Sequence, residues 1–109
     1  MSLRMPAAER REQLLSVALD VFAGEGYHQT SMNQIAEAAG ITKPVLYQHF
    51  PSKLDLYLAV LDLHIDSLVF EIQKAISSTP DNAQRVRATV VAYFTFIENE
   101  GEAFRLLFE

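Results

Sequence analysis

Cysteine is absent from this chain of 109 residues, and glycine and proline occur only four times each. The lack of cysteine excludes disulfide bonds, thiolate metal sites and cysteine nucleophiles. No apolar run reaches the length of a membrane span or of the hydrophobic part of a signal peptide. We therefore predict a protein of the cytoplasm with no membrane partner.

The sequence also lacks the usual signatures of enzymes and metal sites. None of His28, His49 and His64 has a second histidine three or four residues away, which a helical metal site needs. No glycine-rich loop resembles a phosphate-binding loop. Asp62 and Asp66 lie one helical turn apart, but acids at this spacing more often form a solvated stripe. We predict no enzymatic activity, no cofactor and no bound metal.

Charge is distributed unevenly along the chain. Half of the residues are hydrophobic, which favours a globular protein, and the net charge is −5. Acidic and basic residues are equal in number up to Lys53, so the whole excess of acid follows Leu54. This asymmetry indicates that any contact with a nucleic acid is confined to the first half.

Helical periodicity dominates, and no segment alternates as a strand does. Pro6 suits the opening turn of a first helix, which should end at the glycines of residues 24–26. Ser31 and Gln34 form a capping box that should begin a second helix, and Gly40 should end it. The sequence therefore predicts an all-α fold.

A short third helix and a long fourth helix follow. The third should begin at Thr42 or Lys43 and stop near Phe50, because Pro51 disfavours helical geometry at the preceding residue. Ser52 should cap a fourth helix that continues to about Ser77, a length of roughly 37 Å at 1.5 Å per residue. This helix is apolar on two sides, so we expect both sides to be covered. One stripe comprises Leu54, Leu58, Leu61, Ile65, Leu68 and Ile72, and the other Leu56, Val60, Leu63 and Phe70.

The last third of the chain predicts two more helical segments. Thr79 or Asp81 should cap a fifth helix, and Gly101 should end it. Its apolar residues recur at helical spacing. They are Val86, Val90, Tyr93, Phe94 and Ile97. A sixth apolar segment with Phe104, Leu107 and Phe108 reaches Glu109 without a cap, so we expect the domain to be incomplete.

The outer face of the third helix is unusual for a surface exposed to water. Leu46 and Phe50 lie one turn apart and should face the core. The opposite side carries a proline, a valine, an amide and two flanking aromatic rings where glutamate and lysine would be usual. These residues are Pro44, Val45, Gln48, Tyr47 and His49, with Lys43 at the leading end.

Such a face suits the major groove of DNA. Gln48 could bond the N6 and N7 edge of adenine, Val45 could contact a thymine methyl group, and Lys43 could reach guanine or a phosphate. Tyr47, His49 and Lys53 are placed for the phosphates. The alternative is a helical small-molecule-binding or interaction module in which the two short helices are only scaffold.

Several motifs within residues 10–62 together resemble the tetracycline-repressor family of bacterial transcription regulators. The matching features are an Arg-x-x-Leu-Leu run, Val21-Phe22, Gly26-Tyr27, Thr30-Ser31, Ile35-Ala36, Ala39-Gly40-Ile41, Leu46-Tyr47, His49-Phe50 and Lys53. The resemblance implies a homodimer that binds a palindromic double-stranded DNA operator, with a small-molecule effector held by later helices. It favours a ligand-responsive repressor.

The resemblance also implies which residues contact DNA. Residues at the matching positions are Thr30, Ser31, Asn33, Thr42, Lys43, Pro44, Val45, Tyr47, Gln48, His49 and Lys53. Phosphate contacts are expected of Thr30, Tyr47, His49 and Lys53. Asn33 departs from the family, because many members have an arginine at this position.

The predicted organisation has two parts. Residues 1–53 should form a three-helix DNA-binding domain with its helix-turn-helix motif at about residues 31–50. Residues 54–109 should supply the long connecting helix and the start of a helical effector-binding and dimerisation domain. Family members are usually about twice as long, so the dimer-forming helices are expected beyond Glu109.

Overall fold

The computed structural model describes residues 6–108, except for the side chains of Phe104, Leu107 and Phe108, and confirms the all-α prediction. Six helices and no strand occur in this described part. They are α1 (Ala7–Glu25), α2 (Met32–Ala39), α3 (Lys43–His49), α4 (Lys53–Ser77), α5 (Asn82–Asn99) and α6 (Gly101–Phe108).

Local sequence signals set most of the helix ends. Ser31 caps α2 as predicted, because its Oγ accepts from the Gln34 N–H while the Gln34 side chain accepts from the Ser31 N–H. The Oγ of Ser52 likewise accepts from the N–H of Asp55 in the first turn of α4. Asp81 caps α5 through the N–H of Gln84.

Residues 6–60 form one compact unit. Its core is an apolar cluster contributed by the first four helices: Leu14, Ala18, Phe22, Ile35, Leu46, Phe50, Leu56 and Val60. The ring of Tyr57 on α4 lies 5.1 Å from that of Phe22 on α1 and 4.8 Å from that of Tyr27. This unit extends past residue 53, the predicted domain boundary, because the first two turns of α4 bury Leu56 and Val60 in the same core.

Residues 61–108 form a second compact unit. Phe96 on α5 is buried there, as is Ala103 on α6. The predicted apolar stripe of α5 does not match this burial, because Val86, Val90 and Phe94 are exposed. The predicted end of α5 is also corrected, because Glu100 caps the helix and Gly101 begins α6. The side chains of Phe104, Leu107 and Phe108 and the whole of Glu109 lie outside the described part.

The two apolar stripes of α4 are covered less than the pattern predicted. Leu56 and Val60 are the buried residues of this helix. Leu54, Leu58 and Ile65, all on the other stripe, are exposed. No helix in residues 6–108 combines the length and the apolar character that a membrane crossing requires.

Candidate nucleic-acid interface

A sharp turn joins α2 to α3. Gly40 adopts the left-handed conformation, with φ 70° and ψ 31°, and its N–H donates to the carbonyl groups of Ala36 and Glu37. The next N–H, that of Ile41, donates to the Ala36 carbonyl at 3.0 Å. These bonds satisfy the free carbonyl groups at the end of α2 and fix the direction in which the chain enters α3.

The inner side of α3 holds the helix on the core. Leu46 is fully buried and Phe50, the residue after the helix, is nearly so. The guanidinium carbon of Arg11 on α1 lies 4.7 Å from the centre of the Phe50 ring. The prediction that Leu46 and Phe50 are core contacts is confirmed, and it follows that the opposite side of α3 faces outward.

The outer side of α3 carries no acidic residue. Tyr47 is 43% exposed. Thr42, Lys43, Pro44 and Gln48 are also exposed, whereas Val45 and His49 are half-buried. The hydroxyl of Thr42, at the cap position of α3, makes no capping bond. This face therefore offers a cation, an amide, a phenol and small apolar groups on a rigid helix.

Polar residues of α2 lie close to one another on its exposed side. Ser31 is exposed and acts as the helix cap. Asn33 is exposed, and its Nδ2 donates to Oε1 of Glu37 at 3.3 Å. Sequence reasoning did not include Glu37 among the site residues, although its spacing of four from Asn33 could have suggested the pair.

Thr30 and Lys53 are placed differently from the other predicted contacts. Thr30 is only 2% exposed, and its hydroxyl donates to the Gly26 carbonyl at 2.7 Å. Lys53 is half-buried, and its Nζ donates to the carbonyl groups of Tyr27 and Thr30 at 2.8 and 3.1 Å. Both side chains thus bond to backbone carbonyl groups of the loop between α1 and α2, and the phosphate contact of Thr30 stays a prediction.

Arg11 is a further cation that sequence reasoning did not place at the site. It is exposed, and its guanidinium covers the ring of Phe50 directly after α3. The Arg-x-x-Leu-Leu run marks this residue in the sequence, but its approach to Phe50 depends on how α1 packs against the end of α3.

The second unit contains a polar cleft. His64 Nδ1 and Ser67 Oγ on α4 lie 3.2 and 3.4 Å from the Glu100 carboxylate. The cleft beside them is lined by Ser67, Glu71, Ala92, Thr95, Phe96, Asn99 and Glu100. Among the residues described, no cluster of histidine and acidic side chains is suited to hold a metal ion.

Two short helices, a glycine turn between them and an outward second helix without acidic residues define a helix-turn-helix domain. Residues 14–60 match the family described as bacterial regulatory proteins, tetR family. The segment of residues 14–60, which contains the helix-turn-helix, therefore belongs to this family.

Relatives of known name support this assignment. The chain is 55% identical over 106 residues to the HTH-type transcriptional activator FasR of Mycolicibacterium smegmatis, covering 97% of this chain and 48% of the relative. It is 47% identical over 57 residues to the HTH-type transcriptional regulator RutR of Escherichia coli, covering 52% of this chain and 27% of the relative.

A solved structure agrees with these relatives. The crystal structure of a TetR-like transcriptional regulator from Rhodococcus sp. RHA1 superposes with a TM-score of 0.86 at 31% identity, covering 95% of this chain and 57% of that one. The chain thus spans about half the length of the relatives it matches.

Proposed function

We propose that the protein is a sequence-specific DNA-binding transcription regulator and not an enzyme. The observation that carries this proposal is the outer side of α3, where Lys43, Tyr47 and Gln48 are exposed without an acidic neighbour on the same helix. A helix of this size fits the major groove, which is about 12 Å wide. The buried Leu46 and Phe50 keep this side outward.

We assign base contacts to the centre of α3. Gln48 can donate to N7 and accept from N6 of adenine, because an amide carries both groups at a matching spacing. Val45 is half-buried, but its partly exposed methyl groups can contact a thymine methyl. Lys43 can donate to O6 or N7 of guanine or to a phosphate.

We assign phosphate contacts to the edges of the motif. Tyr47 and His49 flank the strip formed by Pro44, Val45 and Gln48, and the hydroxyl-bearing residues Ser31 and Thr42 are exposed. The amide of Asn33 donates to Glu37 and is exposed, so it can also contact the DNA. A short amide there replaces a longer arginine, which predicts different base preferences from those of relatives with arginine.

We further propose that the protein binds a palindromic operator as a homodimer and responds to a small-molecule effector. The exposed apolar residues of the second unit, Val86, Val90 and Phe94, support a larger assembly around α5. Effector and operator would then weaken each other's binding reciprocally if the effector favours a different tilt of α4. A cytoplasmic location suits such a regulator.

The direction of regulation is part of this proposal. The family resemblance favours a repressor, whereas the relative that is 55% identical is named an activator. A reporter gene placed behind the operator of this protein distinguishes repression from activation. Deletion of the regulator should raise expression if it represses and lower expression if it activates.

The experiment that tests DNA recognition is selection from a library of random duplexes, followed by titration of the selected duplex. We expect an inverted repeat whose half-sites are about one helical turn, ~34 Å, or a multiple of it apart. We expect the selected duplex to bind at least about 10³-fold more tightly than a scrambled duplex of the same composition. Failure to enrich any sequence would contradict the proposal.

A further inference from the structure

The position of Lys53 at the first turn of α4 is electrostatically unfavourable by itself. Unsatisfied N–H groups give the start of a helix a partial positive charge, which repels an ammonium group. The contacts of Lys53 compensate for this repulsion: its Nζ donates to two backbone carbonyl groups and lies 4.3 Å from the centre of the Tyr27 ring. Its charge is thus directed toward the protein.

Those two carbonyl groups belong to the loop that leads into α2. Tyr27 and Thr30 lie on either side of the loop's centre, and the Thr30 N–H donates back to the Gly26 carbonyl at 3.1 Å. The Tyr27 ring also contacts the ring of Tyr57, one turn further along α4. Lys53 and Tyr57 therefore bind one side of this loop to the first turns of α4.

Thr30 is the residue immediately before the cap of α2. A loop fixed at Thr30 fixes Ser31, whose side chain and N–H both take part in the capping box. The beginning of α2 is thereby set by α4, and the rigid glycine turn carries this placement to α3. Lys53 is the first residue of α4, and these polar contacts link it to the helix-turn-helix.

We infer that Lys53 is a positioning residue, which ties the loop between α1 and α2 to the start of α4 and so sets the placement of the helix-turn-helix. This role differs from the phosphate contact that the sequence predicted for Lys53. The consequence for DNA rests on the proposed function, whereas the attachment of the loop is a property of the protein alone.

Amide hydrogen exchange of the DNA-free protein tests the attachment directly. In Lys53→Met, which keeps the length of the side chain but removes the ammonium, amides of residues 26–32 should exchange about tenfold faster or more, because exchange reports local opening. Lys74→Met, at an exposed position near the end of α4, is the matched control and should leave the loop unchanged. Unaltered loop exchange in Lys53→Met would overturn the inference.

The salt dependence of DNA affinity separates positioning from phosphate contact. Lys53→Met should weaken binding while the slope of log K against log salt stays the same. Loss of a phosphate contact would instead make this negative slope shallower by about 0.9 per bound protomer. A shallower slope in Lys53→Met would overturn the inference. If no duplex binds at all, the proposed function fails while the exchange result still stands.

Lys53→Arg keeps the positive charge and provides a second variant if Lys53→Met does not fold. A planar guanidinium has different donor geometry and should not restore both carbonyl bonds. We expect faster loop exchange and weaker DNA binding in this variant, with a melting curve that shows a folded protein. Wild-type exchange together with wild-type affinity would contradict a role in positioning.

Discussion

At the scale of single residues, we propose that the outer side of α3 has a strip that contacts bases and an edge that contacts phosphates. Gln48 and Tyr47 are neighbours in sequence and both are exposed, yet they point about 100° apart around the helix. Their substitutions should therefore have different effects on sequence preference.

Gln48→Ala should weaken binding to the selected operator by ~1 to 3 kcal/mol and leave binding to random DNA unchanged, because it removes a bidentate contact with a base. Fluorescence anisotropy with both duplexes measures this difference. Gln73→Ala, which removes the same exposed amide from α4, is the control and should affect neither. Equal losses on both duplexes would show that Gln48 does not read a base.

Tyr47→Ala should weaken binding to operator and random DNA alike. A neutral hydrogen bond to a phosphate contributes about 0.5 to 1.5 kcal/mol and is independent of sequence. The same two titrations measure it. A loss restricted to the operator would instead assign Tyr47 to base recognition.

Residue roles were predictable from sequence where helical periodicity determines orientation. The wheel of α3 placed Leu46 and Phe50 inward, and the structure buries both. Thr30 and Lys53 were assigned to phosphates, but the Thr30 hydroxyl donates to the Gly26 carbonyl, and the Lys53 ammonium donates to the carbonyl groups of Tyr27 and Thr30. Contacts between a loop and a helix that lies more than twenty residues further along the chain leave no periodic signal.

At the scale of helices and turns, the conformation of Gly40 sets the geometry of the motif. Its φ of 70° lies in the left-handed region, and a Cβ built there meets no atom within 4 Å. A substitution at this position therefore strains the backbone without creating a steric clash. The loss of stability on substitution at Gly40 therefore comes from backbone strain, and a measurement of unfolding reports it without a contribution from a clash.

Gly40→Ala should lower the free energy of unfolding by about 1 kcal/mol or more, because L-residues with a Cβ are disfavoured at positive φ. Gly24→Ala should have the opposite sign and raise it by up to about 1 kcal/mol, since Gly24 lies within α1 and its Cβ would also meet open space. Urea denaturation measures both. A stabilised Gly40→Ala would contradict the described turn.

Several helix starts were predictable because their causes are local. Ser31, Ser52 and Asp81 cap their helices through the side chain, and α2 ends at Gly40 as predicted. The buried side of α5 was not predicted, since Phe96 lies off the stripe that the pattern favoured. Burial of one side depends on which helices pack against it, and periodicity does not contain that information.

At the scale of the whole molecule, the proposed function requires that an acidic chain presents a local surface able to bind DNA, which is itself acidic. The net charge is −5, but the chain up to Lys53 is balanced and α3 itself carries Lys43 and no acid. The acidic excess lies in the remainder of the chain. Long-range repulsion from that excess is screened beyond about 8 Å at physiological salt.

The salt dependence of operator binding tests the central claim most directly. Counterion release by contacts with phosphates should give a slope of log K against log salt steeper than about −2, and Lys43→Met should make it shallower by up to about 0.9 per bound protomer. Titration of the selected duplex at four or five salt concentrations measures both slopes. An affinity that does not change with salt would contradict the account of α3 as a DNA-reading helix.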